Sequence, residues 1–174
     1  WQSDMTYYQH GNKTFYSIFI TDVYSQRIVG QGAFDKAYAS NFLIVLNRAI
    51  KLRLKEGHAL DGLIHHSDGG KQYESAIYQM QCKKYNIKQS MCYYSWENPY
   101  AERTNGLIKN RYIKFWKPST TSKLVNLQNR AVRHHNRHQR KQGLNGLTPV
   151  QFERQLKDKQ NSNVRYTLNL KPSL

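Results

Sequence analysis

The chain has 174 residues, 39% of them apolar, which is enough for one domain with a hydrophobic core and short for two. Lys and Arg number 27 against 11 Asp and Glu, and the formal net charge of +16 favours a polyanionic partner, nucleic acid before an anionic membrane. No apolar run approaches the ~20 residues of a membrane span, no signal-peptide pattern is present, and two cysteines are too few for a thiolate zinc site or a disulfide framework. Cys82 and Cys92 read as reduced, packed thiols of a cytosolic protein. The first residue is Trp1 rather than Met, so a longer parent protein is expected.

Residues 2–8 predict a strand carrying Asp4, followed by a turn at His10-Gly11-Asn12-Lys13. Thr14 to Thr21 is a nearly continuous run of aromatic and branched residues, suited to a central strand. Asp22 to Gln26 turns the chain into a third strand, Arg27 to Phe34, where Gly30 and Gly32 either weaken the strand or permit close approach. Tight turns make these three an antiparallel meander. The period then changes. Phe42, Val45, Leu46, Ala49 and Ile50 lie on one face of a helix, with Ser40 or Asn41 to cap its start and Gly57 its end. Gly62 to Ser67 is a short strand that delivers Asp68 at its tip. Tyr73 to Lys84 predicts a second helix with Ile77 and Met80 inward, and Ile87 to Cys92 a fifth strand.

Asn98-Pro99 supplies a capping residue and a proline at the first helical position, so a helix runs from there to about Lys114 with Glu102 near its start. A longer helix spans roughly Ser122 to Arg140, with Leu124, Leu127 and Ala131 as its apolar stripe and Arg and His crowding its end. Those basic residues suit phosphate contact or a solvated helix face equally. Thr148-Pro149 starts a last short helix through Phe152 and Leu156. Residues 159–174 are polar, then alternate at Val164, Tyr166, Leu168 and Leu170. The order is βββαβαβα plus helices, an α/β chain with a mixed sheet covered by helices.

A carboxylate site must draw on Asp4, Asp22, Asp35, Glu56, Asp61, Asp68, Glu74, Glu97, Glu102, Glu153 and Asp158, the complete set of acids. Singly, Asp4 reads as a solvated strand residue, Asp68 before two glycines as a turn former, and Glu102 as a complement to a helix dipole.

Five segments, in order, carry more. They are Ser3-Asp4-Met5-Thr6-Tyr7, Asp22 to Gly30, His65-His66-Ser67-Asp68-Gly69-Gly70-Lys71-Gln72-Tyr73, Glu97-Asn98-Pro99-Tyr100-Ala101-Glu102-Arg103 followed by Lys109, and His135-Asn136-Arg137-His138 through Leu147-Thr148-Pro149 to Phe152. Together they resemble the D-D-E integrase-core transposases of bacterial insertion sequences, with retroviral integrases as more distant relatives. The match runs from Trp1 to about Leu156. The resemblance implies a ribonuclease-H-like fold: a five-stranded mixed sheet with helices on both faces, plus C-terminal helices. It implies a catalytic core over residues 1–157 and leaves 158–174 as an extension. Asp4, Asp68 and Glu102 fall on the family's catalytic, metal-binding triad. Thirty-three residues separate the last two, slightly fewer than is usual in the family, and the shortening is expected in the loop between Met91 and Asn98. Glu97 competes for the third position, but it precedes the helix and its geometry is less fixed.

The same resemblance implies two Mg²⁺ ions, with Mn²⁺ as a substitute, and metal-dependent DNA cleavage and strand transfer. Lys109, two helical turns beyond Glu102, then lies against DNA, and Arg103, Arg137 and Arg140 are further candidates for DNA contact. His65 and His66 are not expected to bind metal. The implied partners are transposon ends, target DNA and further copies of the chain, with no membrane, in a cytoplasmic, nucleoid-associated bacterial protein. A plain nuclease of the same fold, or a domesticated DNA-binding module without catalysis, are the alternative functions.

Overall fold

The computed structural model of the chain describes residues 1–92 and 97–168. Strands β1 (Gln2–His10), β2 (Lys13–Asp22) and β3 (Arg27–Phe34) form the expected antiparallel meander. Gly11, at φ +56, makes the first turn, where a side chain would be strained. At the second, Asp22 Oδ1 accepts the Ser25 N–H at 3.0 Å. Helix α1 (Ala39–Lys55), strand β4 (Ile64–Asp68), helix α2 (Ala76–Lys84) and strand β5 (Lys88–Cys92) follow. β4 pairs in parallel with both β1 and β5, which gives a mixed sheet of order β3-β2-β1-β4-β5.

The near-continuous apolar run of β2 follows from burial on both faces of the sheet. On one face Ile18, Ile20 and Val29 pack against Phe42, Val45, Leu46 and Ala49 of α1 and Tyr78 and Cys82 of α2. On the other, Phe15, Phe19, Ile28 and Ala33 meet Ile108, Ile113, Leu124 and Ala131. Gly30 serves close approach: a Cβ there would lie 2.8 Å from the Val45 carbonyl oxygen and 3.0 Å from Ala49 Cβ.

Three local expectations are corrected. α2 begins at Ala76, and its inward residues are Tyr78 and Cys82, while Ile77 and Met80 are 46% and 70% exposed. The buried hydrogen bond between Tyr78 Oη and His65 Nε2, 2.7 Å, sets the helix's rotation and turns Ile77 and Met80 outward. Neither Ser40 nor Asn41 caps α1; the helix starts at Ala39, and Asn41 Nδ2 donates to the Lys36 carbonyl instead. The helix expected from Asn98 to Lys114 is α3 (Pro99–Ile108), a π turn (Lys109–Ile113) and the short α4 (Lys114–Trp116). Ile108 and Ile113 are five residues apart and both buried. At 3.6 residues per turn an α-helix would splay them, and the wider π turn brings both into the core.

Helix α5 (Thr121–Arg137) is capped by Thr120 Oγ1, which accepts the Lys123 N–H at 3.2 Å. Asn136 clamps it to β3, its amide bonded to both the N–H and the carbonyl of Ile28 at 3.0 and 2.9 Å. The last helix, α6 (Pro149–Leu168), is far longer than expected, since neither Gly nor Pro interrupts Val150 to Leu168. Glu153 docks it onto Arg53 at 2.6 Å and Arg27 at 2.5 Å, and those arginines also reach Asp22 and Glu56. Among the described residues no helix is long and apolar enough to cross a membrane.

Candidate active site

The parallel pairing of β1 with β4 covers only Gln2↔His66 and Ser3↔Ser67. Asp4 and Asp68 are the next residues in that register, on the same side of two strands whose neighbours lie about 4.8 Å apart. Beyond them β4 ends while β1 continues to His10, so the two carboxylates stand where the sheet opens. Ser3 fixes β1 from the opposite face: its hydroxyl pairs with Tyr73 Oη at 2.8 Å and the Phe19 carbonyl at 3.2 Å.

α3 crosses over this opening and is tied to β1 at three points. Gln2 Oε1 accepts the N–H of Tyr100 at 2.9 Å, serving an otherwise orphaned helix donor. The Asn98 side chain makes no cap bond; its Nδ2 donates to the Ser3 carbonyl at 2.9 Å, which corrects the expected capping role. Asn105 Nδ2 donates to Asp4 Oδ2 at 2.7 Å. Glu102, in the first turn of α3, is three residues before Asn105 on the same side of the helix. Asn105, Gln2 and the clamping amide of Asn98 escaped the sequence reading, because a polar residue within a helix or strand carries no local sign of what it will meet.

Asp4 Oδ1 also accepts the Met5 N–H at 2.7 Å. Burial raises the Asp4 carboxyl from 3.8 to about 6; the charges of Asp68 and Glu102 push the same way, against the hydrogen bonds from Met5 and Asn105. Burial likewise raises Asp68, opposed by the Gly70 N–H. The Asp4 carboxyl therefore senses the charges of both Asp68 and Glu102. Among the described residues, the ion pairs of the Arg27–Arg53 network engage Asp22, Glu56 and Glu153 and do not reach Asp4, Asp68 or Glu102. Also among the described residues, no three His, Cys, Asp or Glu side chains converge tightly enough to hold one metal ion by themselves.

The other predicted residues are placed as follows. Lys109 Nζ lies 4.8 Å from the centre of the Tyr7 ring, at the exposed edge of β1 beyond Asp4. Arg103, on α3, borders a narrow cleft with Lys141, whose amine is pushed down by burial and by the charges of Arg111 and Arg103. Arg137 is exposed at the end of α5, and Arg140 Nη1 donates to the Gly146 carbonyl at 3.3 Å. No contact among the described residues joins Arg137 or Arg140 to the carboxylates. His65 is buried against Tyr78 and pushed to about 3 by that burial. His66 Nδ1 pairs with Ser90 Oγ at 3.0 Å. Glu97 lies two residues before α3, and the loop expected to be short lies largely outside the described residues. Asp22 is a turn residue and a partner of Arg53 at 2.8 Å.

Comparison with known proteins agrees with this architecture. A putative transposase of insertion sequence element IS986/IS6110 from Mycobacterium tuberculosis (strain ATCC 25177 / H37Ra) is 35% identical over 121 residues, 68% of this chain and 44% of that protein. The transposase of insertion sequence element IS629 from Shigella sonnei is 32% identical over 131 residues, 73% of this chain and 43% of that protein. The chain thus spans less than half the length of these relatives. Among solved structures, the catalytic core domain of the HTLV-2 integrase in complex with magnesium superposes with a TM-score of 0.65 at 22% identity, covering 87% of this chain and 93% of that one, which shows the shared fold. The sequence model of the integrase core domain matches residues 1–94, from β1 past the end of β5. The chain belongs to the integrase core domain family.

Proposed function

We propose that this chain is the catalytic core of a DNA transposase, with Asp4, Asp68 and Glu102 holding two divalent ions, Mg²⁺ or Mn²⁺. The observation that carries the reading is the register of β1 and β4, which sets Asp4 beside Asp68 at the opening of the sheet while Glu102's helix is bonded to Asp4 through Asn105.

The donor set fits such ions. All three side chains offer hard oxygen donors, which suit Mg²⁺. Asp4 is pushed to about 6 chiefly by burial, with the charges of Asp68 and Glu102 adding. Asp4, Asp68 and Glu102 would together hold the ions. When bound, the ions would activate a nucleophile and stabilise the leaving oxygen at a phosphodiester.

The chain's own groups do the positioning. The Met5 N–H and the Asn105 amide hold the two Asp4 oxygens in a fixed plane. Lys109, whose amine lies over the Tyr7 ring at the edge beyond Asp4, would pair with a DNA phosphate. Attack by water on a phosphodiester releases a 3′-hydroxyl and a 5′-phosphate. Attack by that 3′-hydroxyl on a second phosphodiester forms one bond and breaks one, freeing a new 3′-hydroxyl, so joining needs no external energy source. The substrates of the whole protein on this reading are transposon ends and target DNA, engaged by more than one copy of the chain in a bacterial cytoplasm.

The test is calorimetric titration of Mn²⁺ into the native chain and into Asp4→Asn and Asp68→Asn, followed by a Mg²⁺-dependent strand-transfer assay on oligonucleotides with a free 3′-hydroxyl. Binding lost in both variants, with circular dichroism unchanged, is the expected result. Equal binding by all three proteins would remove these carboxylates from the metal site.

A further inference from the structure

From Arg103 to Phe152 the chain contains no Asp or Glu, yet it contains Arg103, Lys109, Arg111, Lys114, Lys117, Lys123, Arg130, Arg133, Arg137, Arg140 and Lys141. α4 and α5 are therefore built from a purely cationic stretch. Between them lies an open groove of about 410 Å³, bordered by Tyr112, Trp116, Arg130, Arg133, His134 and His138. Trp116 is 60% exposed and its neighbour Phe115 76% exposed, side by side at the end of α4. Arg130 sits over the Trp116 ring with its guanidinium carbon 6.0 Å from the centre. Tyr112 Oη bonds His134 Nδ1 at 2.7 Å, and the imidazoles of His134 and His138 stack with centres 5.9 Å apart. Among the described residues no carboxylate pairs with Arg130 or Arg133.

We propose that this groove binds unpaired DNA, with a base stacked on Trp116 and the adjoining phosphates held by Arg130 and Arg133. The proposal rests on the reading of the chain as a DNA enzyme and adds a second contact site to it. An exposed indole beside arginines that lack acidic partners suits a single strand, whose free base face can stack on it; a duplex keeps its base faces covered. A second copy of the chain is the weaker occupant. A two-fold interface would set this cationic face against itself. Trp116 is fourteen residues beyond Glu102 along nearly continuous helix, roughly 20 Å at 1.5 Å per residue. The groove would thus hold a separated strand roughly six base pairs' length from the carboxylates, taking 3.4 Å per pair.

The test is fluorescence anisotropy with a labelled twelve-nucleotide oligothymidylate and with a blunt duplex of the same length, in EDTA. The 174-residue chain is compared with Trp116→Ala, Trp116→Phe and Arg130→Ala. Trp116→Ala should weaken single-strand binding about ten-fold or more while changing duplex binding less than about two-fold, and Trp116→Phe should restore most of the loss. Arg130→Ala should weaken single-strand binding and flatten its salt dependence. Equal losses on both DNAs, or no loss on the single strand, would overturn the proposal. So would a sedimentation shift from dimer to monomer in Trp116→Ala with DNA affinity intact. Calorimetric titration of Mn²⁺ into Trp116→Ala serves as the control. The groove variant should bind Mn²⁺ as the native chain does, so failure of the groove and failure of the carboxylate site are read separately.

Discussion

Replacing Asp4 by Asn should stabilise the metal-free protein at neutral pH. The Asp4 carboxyl rises from 3.8 to about 6, chiefly through burial, and through Asp68 and Glu102. At 1.36 kcal/mol per pH unit, ionising it in the folded state costs about 3 kcal/mol. The folded-state value is the higher one, so the folded protein binds the proton more tightly. Stability from this group is complete below about pH 4 and is lost as pH rises through about 6. Asn removes the charge and keeps an acceptor for the Met5 N–H. The Asn105 Oδ1, buried and without a partner, can accept from the new amide if the Asn105 amide turns over. Allowing about 1 kcal/mol for an imperfect replacement bond, Asp4→Asn should be roughly 2 kcal/mol more stable than the native chain at pH 8 and no more stable at pH 4. Urea denaturation in EDTA at several pH values measures this. The difference between the two proteins is the quantity to read, because buried His65 and His135, pushed to about 3 and about 4 chiefly by burial, make stability rise with pH over part of the same range in both. Saturating Mn²⁺ should then reverse the order by stabilising only the native chain. If Asp4→Asn were less stable by the same amount at both pH values, Asp4 would be a structural hydrogen-bond acceptor, and the electrostatic argument for the site would fail.

Glu153→Gln should cost roughly 2 kcal/mol in urea denaturation at pH 7, with Arg53 keeping Asp22, Arg27 keeping Glu56, and solvent at the rim screening the remainder. Burial opposes the Glu153 carboxylate, but the hydrogen bond and charge of Arg53 outweigh it, with Ser25 and Arg27 adding, and hold it at about 2. The folded-state value is depressed, so its stabilisation is present above about pH 4.5 and lost as pH falls through about 2, and the variant should lack this acid-labile component. Gly30→Ala should cost about 1–3 kcal/mol, since its methyl would meet backbone of α1 at 2.8 Å; an unchanged urea midpoint would show that α1 can shift freely. Lys109→Ala should weaken DNA binding and lower the salt slope by about 1, with Mn²⁺ binding unchanged by calorimetry.

Local chemistry and periodicity alone determined a good deal of this protein. β3 begins at Arg27 and ends at Phe34 as its residues dictate, α1 buries the five predicted side chains, and Pro99 starts α3. The resemblance of five short segments to a family pointed to that family, which the match over residues 1–94 establishes. Tertiary structure decided what depends on partners distant in sequence. Tyr78 faces inward because His65 waits there, and the π turn exists because Ile108 and Ile113 must share one core. Asn98 and Asn105 act on Ser3 and Asp4, 95 and 101 residues away. Periodicity reports a residue's own element, whereas an amide's hydrogen-bond partner and a carboxyl's proton affinity are set by groups that only folding brings within a few ångströms.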